Sequence, residues 1–146
     1  GMGDWRRPGA ASAALRALEH ASQVAEIDAR RVFLAGLSNG GLGVCRLASD
    51  HPDRFRGLVL ICPVMTLKIV GGKTFHEHWR DRPVLMLAGQ ADRRIPVGYV
   101  RRHAEAMKSG GVNVSQIVYP GEDHFLMFSK YQEVLKDVGA WLAEAE

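Results

Sequence analysis

Short apolar runs at residues 32–35, 58–61, 84–87 and 114–119 alternate along the chain with stretches in which apolar side chains recur every three or four positions. A brief apolar run bounded by glycine or proline predicts a strand covered on both faces, and a recurrence of 3.6 predicts a helix with one buried side. Ala11, Leu15, Leu18, Ala21 and Ala25 mark such a side over residues 9–25. Residues 39–49 form a second helix, stopped by Asp50-His51-Pro52 because the residue before proline is pushed out of the α region. Tyr99, Val100, His103, Ala104 and Met107 define a third helix, closed by Gly110-Gly111. Tyr131, Val134, Leu135, Val138, Trp141 and Leu142 define the last. Residues 64–82 have no clear period and contain Gly71-Gly72, so they predict a short excursion or cap over the sheet.

Strands that alternate with helices pair in parallel through right-handed crossovers. The expectation is therefore an α/β fold, a parallel sheet of about four strands flanked by helices, in one domain spanning residues 1–146. Ligands of such sheets sit at the carboxyl ends of the strands. Reactive side chains are accordingly sought after Ala35, Ile61, Leu87 and Tyr119.

Three of those places carry them. Gly36-Leu37-Ser38-Asn39-Gly40-Gly41 matches G-x-S-x-G between a predicted strand and a predicted helix, the context in which a strained turn lifts a serine hydroxyl out of the sheet. Gly36, Gly40 and Gly41 are expected to make room where the chain folds back on itself. The helix N-terminus places the backbone N–H of Asn39 where it would meet a developing oxyanion. Asp92 follows the third strand in Gly89-Gln90-Ala91-Asp92, and His124 follows the fourth in Gly121-Glu122-Asp123-His124-Phe125. Taken singly, these are a turn aspartate and a loop histidine. Together they supply a nucleophile, an orienting acid and a general base, with no metal or organic cofactor needed.

The stretches 31–41, 83–96 and 119–125, with the order Ser38, Asp92, His124, resemble the α/β-hydrolase family, in particular its esterase, dienelactone-hydrolase and polyester-depolymerase group. The resemblance implies a serine hydrolase that cleaves small or medium carboxylic esters through an acyl-enzyme. Independently of the resemblance, Met65 and Trp79, with Leu67 and Phe75, are expected either to line an acyl or alcohol pocket or to be half-buried packing of the excursion, two readings that explain them equally well. In that family the nucleophile turn follows the fifth strand of eight, and here it follows the first. The implied fold is thus truncated, and the first strand would lie at a bare apolar edge. A homodimer through that strand is the expected remedy. A non-catalytic half-domain that binds a partner or a small ester is the alternative.

Composition narrows the field further. The net charge of +3 is dispersed over Arg pairs with acidic residues between them, without the basic stripe and stacking aromatics of a nucleic-acid reader. The longest apolar run, residues 58–65, falls short of the roughly 18 that a membrane span requires, so no membrane partner is expected. Cys45 and Cys62 read as small core hydrophobes in a reducing, cytoplasmic setting. Three weaker motifs fail. Gly72-Lys73-Thr74 lacks the glycine a phosphate loop needs at position 67, and Arg46 stands at the third glycine of a dinucleotide fingerprint. His76 and His78, two apart, would diverge on a helix and are not expected to share a zinc ion.

Overall fold

The computed structural model describes Trp5 and residues 12–145. Four parallel strands, β1 (Phe33–Leu37), β2 (Gly57–Ile61), β3 (Pro83–Gly89) and β4 (Asn113–Tyr119), lie side by side in sequence order. Their register pairs Leu34 with Leu58, Leu58 with Val84, and Val84 with Val114. Among the described residues seven α-helices connect and flank them: α1 (Ser12–Val24), α2 (Gly40–Asp50), α3 (Leu67–Val70), α4 (Lys73–Trp79), α5 (Val97–Ser109), α6 (Leu126–Ser129) and α7 (Tyr131–Glu144). The α/β class and the four-stranded parallel sheet agree with the sequence pattern. The first part of the expected first helix, residues 9–11, lies outside the described residues.

The two-residue period of the strands divides the core in two. Leu58, Leu60, Val84, Met86 and Ala88 face a layer built from Val44, Cys45, Leu47 and Ala48 of α2 and Val100, Ala104 and Met107 of α5. Val59, Ile61, Leu85, Leu87 and Tyr119 face the opposite way, against Leu126 and Val134, with Val138 and Trp141 partly buried beside them. Every residue of β2 and β3 is buried, which is why these segments read as unbroken apolar runs. Pro52 ends the second helix as expected, and His51 leaves the α region at φ −136 and ψ 56.

Residues 64–82 differ from expectation. They form α3 and α4, and Val70, Phe75 and Trp79 are sealed in the larger core cluster. Trp79 is fully buried, its ring stacks on Phe75, and its indole N–H donates to Ala48 O at 2.8 Å. Arg82 covers the indole with its guanidinium 4.0 Å from the ring centre and donates to Pro52 O. The segment is thus part of the helical layer and not a loose cap. Helices of four and seven residues are too short to show a period in sequence.

Candidate active site

Ser38 is the first of two residues that turn the chain between β1 and α2, with φ 51, in the left-handed region that side chains rarely adopt. The corner closes because Gly36 lets the strand approach the helix: a Cβ there would stand 2.7 Å from the carbonyl carbon and oxygen of Gly40. Gly41 is equally constrained, since its Cβ would meet Pro63 and the carbonyl of Val64. Gly40 itself has open space where a Cβ would go, so the crowding expected at that position falls on its neighbours. Ser38 N–H donates to Ile61 O at 2.9 Å and Ser38 O accepts from Val64 N–H at 2.8 Å. The end of β2 therefore grips the serine from both sides. Asn39 stands at the head of α2 with helical angles and an exposed side chain.

Asp92 follows β3 and is buried, with no exposed side-chain surface. Its Oδ1 accepts the backbone N–H groups of Arg94 and Ile95, both at 2.8 Å. Its Oδ2 lies 2.8 Å from His124 Nδ1. Burial pushes the Asp92 carboxyl up, but the Ile95 N–H, the His124 ring and the Arg94 N–H outweigh it and hold the group below its ordinary 3.8. An ionised carboxylate can only accept, so Nδ1 carries the ring proton and Nε2 is left with a free lone pair. Ser38 Oγ lies 2.9 Å from that Nε2. Three residues expected from sequence thus form one hydrogen-bonded chain, from hydroxyl to imidazole to carboxylate.

The loop that carries His124 is docked on the loop that carries Asp92. Gln90 N–H donates to Tyr119 O and Ala91 N–H to Glu122 O. Gly121 turns the chain at φ 75, and Asp123 Oδ1 accepts Phe125 N–H at 2.8 Å. Beside the imidazole, which is 11% exposed, Ala91, Arg93, Arg94, Asp123 and Phe125 line a cavity of about 380 Å³. Arg94 sits over the ring of Phe125 at 4.9 Å. Neither the arginines nor the phenylalanine was singled out from sequence, where an exposed Arg pair reads as solvated surface.

Met65 and Trp79 separate. Trp79 belongs to the core described above and cannot meet a ligand at the strand ends. Met65 is buried against Tyr99, whose hydroxyl accepts from Met65 N–H at 2.8 Å and donates to Met65 O at 2.6 Å. It also borders a second cavity, of about 540 Å³, with Thr66, Leu67, Lys68, Gly98, Tyr99, Arg102 and His103. None of the Ser38 chain lines that cavity.

Cys62, like Cys45, was placed in the core without a role by the sequence reading. It is buried as expected, and both cysteines are free thiols. Its Sγ, however, a carboxylate oxygen of Asp92 and a ring nitrogen of His124 lie within 4.8 Å of one another. Thiolate, carboxylate and imidazole together could ligate a soft divalent ion. Here Nδ1 already donates to Asp92, so an ion would have to displace the proton that joins the two.

The prolyl oligopeptidase family matches this chain over residues 11–83 and again over residues 73–145. The chain belongs to that family. Acylamino-acid-releasing enzyme of Rattus norvegicus is 27% identical over 144 residues, covering 75% of this chain and 20% of its own length. Acylamino-acid-releasing enzyme 2 of Oryza sativa is 24% identical, covering 87% of the chain and 21% of its own length. The chain spans about a fifth of the curated relatives it matches. Among solved structures, a thermostable esterase superposes with a TM-score of 0.72 at 23% identity, over 90% of this chain and 35% of that one. Est1E of Butyrivibrio proteoclasticus, bound to ferulic acid, gives 0.71 at 16%, over 92% and 67%. Est2 of Thermogutta terrifontis gives 0.70 at 21%, over 93% and 62%. At these identities the solved structures share the fold. The α/β-hydrolase resemblance read from the motifs stands, and the chain is a member of a serine hydrolase family covering part of the fold.

Proposed function

We propose that this chain carries the catalytic machinery of a serine hydrolase acting on acyl compounds, with Ser38 as nucleophile, His124 as general base and Asp92 as its orienting acid. The observation that carries the reading is the unbroken chain Ser38 Oγ, His124 Nε2, His124 Nδ1, Asp92 Oδ2 at 2.9 and 2.8 Å. As Oγ bonds to the substrate carbonyl carbon, Nε2 takes the hydroxyl proton and Asp92 stabilises the imidazolium. The carbonyl oxygen becomes an oxyanion facing the N–H of Asn39 at the head of α2. Collapse breaks the bond to the leaving group, which receives the proton from Nε2, and water repeats the cycle on the acyl-enzyme.

Small or medium carboxylic esters are the proposed substrates, since the segment 64–82 packs into the helical layer and, among the described residues, no large lid covers the strand ends. The acylamino-acid-releasing relatives support a second reading, in which the acyl group is that of an N-acylated amino acid and the leaving group an amine. A fluorophosphonate probe should label Ser38, located by mass spectrometry, and Ser38→Ala should abolish both labelling and turnover. A panel of p-nitrophenyl esters beside N-acylamino-acid amides then distinguishes the two substrates. Undiminished labelling of Ser38→Ala, or modification of Cys45 or Cys62 instead, would remove the assignment and leave the non-catalytic binding module.

A further inference from the structure

The cavity of about 540 Å³ between α3 and the first half of α5 has no part in the chemistry of Ser38. Its two sides are fixed to one another. The Tyr99 hydroxyl is bonded to both the N–H and the carbonyl of Met65, and the Tyr99 ring lies 4.1 Å from that of His103. At Gly98, in the first turn of α5, a Cβ would meet nothing within 4 Å, so the wall stays open there. The space is thus preformed by the packing of the fold.

Polar groups of two kinds converge on it. Lys68 of α3 and Arg102 of α5 are exposed at its rim, and neither has a carboxylate partner among the described residues. Glu105, one turn from Arg101 and Arg102, is taken by Lys108, and no acidic side chain lines the cavity. His103, by contrast, is buried at 4% exposed. Its Nδ1 donates to Tyr99 O, whereas its Nε2 has no partner among the described residues and is not sealed from solvent. Burial and the Arg102 charge lower the pKa of the ring below 6.5, so at neutral pH Nε2 presents a lone pair and needs a donor. A buried nitrogen without a partner is destabilising unless something in the cavity satisfies it.

The rest of the lining is largely apolar, from Met65, Leu67 and the Tyr99 ring. A phosphate, hydrated on every oxygen, gains nothing from such a wall. A carboxylate on an apolar body does, and its two oxygens match the planar fork of an arginine. We propose that this cavity binds a small organic acid, with its carboxylate between Lys68 and Arg102, its apolar body on Met65, Leu67 and Tyr99, and a hydroxyl or amide N–H donating to His103 Nε2. The Thr66 hydroxyl, which caps no N–H of α3, is a further donor to the carboxylate. The site is separate from Ser38 and does not rest on the hydrolase reading.

The test uses the whole chain with Ser38→Ala, so that nothing is turned over, and follows binding by NMR and calorimetry. N-acetylleucine and α-hydroxyisocaproate, which carry both charge and donor, should bind saturably, shift the amides of residues 65–68 and 98–103 and move the ring resonances of His103. The tighter of the two identifies the donor. Isocaproate, which lacks the donor, should bind several-fold more weakly, and N-acetylleucinamide, which lacks the charge, about tenfold more weakly. Lys68→Met and Arg102→Met, both at exposed positions, should each weaken the acids by about fivefold without lowering the thermal midpoint. Absence of saturable binding at millimolar concentration, inorganic phosphate binding as tightly as the acids, or equal affinity with and without the donor would overturn the proposal. Binding that ignores both substitutions, or that shifts His124 and Phe125 in place of residues 65–68, would do the same. Fluorophosphonate labelling of Ser38 in the parent chain judges the hydrolase reading separately, and failure there leaves the acid site standing.

Discussion

Substitution of Asp92 by asparagine isolates what the carboxylate does. The amide oxygen can still accept from Arg94 and Ile95, so the turn after β3 survives. The amide N–H₂ then faces Nδ1–H, donor against donor, and the imidazole must move its proton to Nε2, where it can no longer accept from Ser38. We expect Asp92→Asn to lower kcat by about 10³- to 10⁴-fold with little change in the thermal midpoint, measured by ester hydrolysis and calorimetry. The packing at Gly36 gives the converse case. A methyl there meets the backbone of Gly40, which cannot yield as a flexible side chain would, so Gly36→Ala should destabilise the fold by about 1–3 kcal/mol in chemical denaturation. Ser38, Asp92 and His124 were all legible in sequence because a parallel sheet brings its strand ends together, across separations of 86 and 32 residues. Cys62 was not, because a thiol beside a carboxylate and a thiol in a core follow an apolar strand in the same way.

Long helices and buried strands were readable from periodicity, and α2, α5 and α7 lie within a few residues of where the pattern put them. The segment 64–82 was not, and Trp79 read equally well as pocket wall or as half-buried packing, because helices of four and seven residues show no period to say which face it takes. On α5, His103 is a further buried polar group whose place the apolar stripe did foretell. It is 4% exposed, its Nδ1 lies 2.8 Å from Tyr99 O, and its ring stands 4.1 Å from that of Tyr99. The carbonyl can only accept, so Nδ1 donates. Burial lowers the His103 pKa below 6.5, the Tyr99 carbonyl opposes this, and the Arg102 charge adds to it. Lys68 lines the same cavity. The unfolded chain therefore binds a proton that the folded one refuses, so this contribution is complete above pH 6.5 and is lost as pH falls below it. Each unit of depression is worth about 1.4 kcal/mol. Denaturation midpoints should decline from pH 7 to pH 5, and His103→Gln should flatten that slope. An unchanged slope in the variant would show that His103 titrates alike in both states.

For the molecule as a whole, the open question lies at the edges of the sheet. Among the described residues β1 pairs only with β2, and β4 only with β3. The two edges differ in chemistry. The outer strand β4 carries Asn113, Ser115 and Gln116, polar side chains suited to a solvated edge. By contrast β1 reads Phe-Leu-Ala-Gly-Leu, with no charge or proline to block further pairing, and its residues are half-buried or exposed where those of β2 are sealed. The solved relatives that superpose on 90–93% of this chain are themselves covered for only 35–67% of their length, so their folds are larger than the four strands described here. We propose that the 146-residue chain covers β1 with the same strand of a second copy, antiparallel across a two-fold axis, joining two sheets of four strands into one of eight. Light scattering should report a dimer, and the outward amides of residues 33–37 should be protected from hydrogen exchange. Phe33→Glu should give monomer, although Phe33 also contacts Trp141 edge-on at 5.7 Å, so its loss can weaken the fold. Ala35→Lys is the cleaner variant, because Ala35 is exposed on β1 and a lysine there blocks an antiparallel partner without touching the core. A folded parent chain that stays monomeric, with fast exchange along β1, would exclude this dimer.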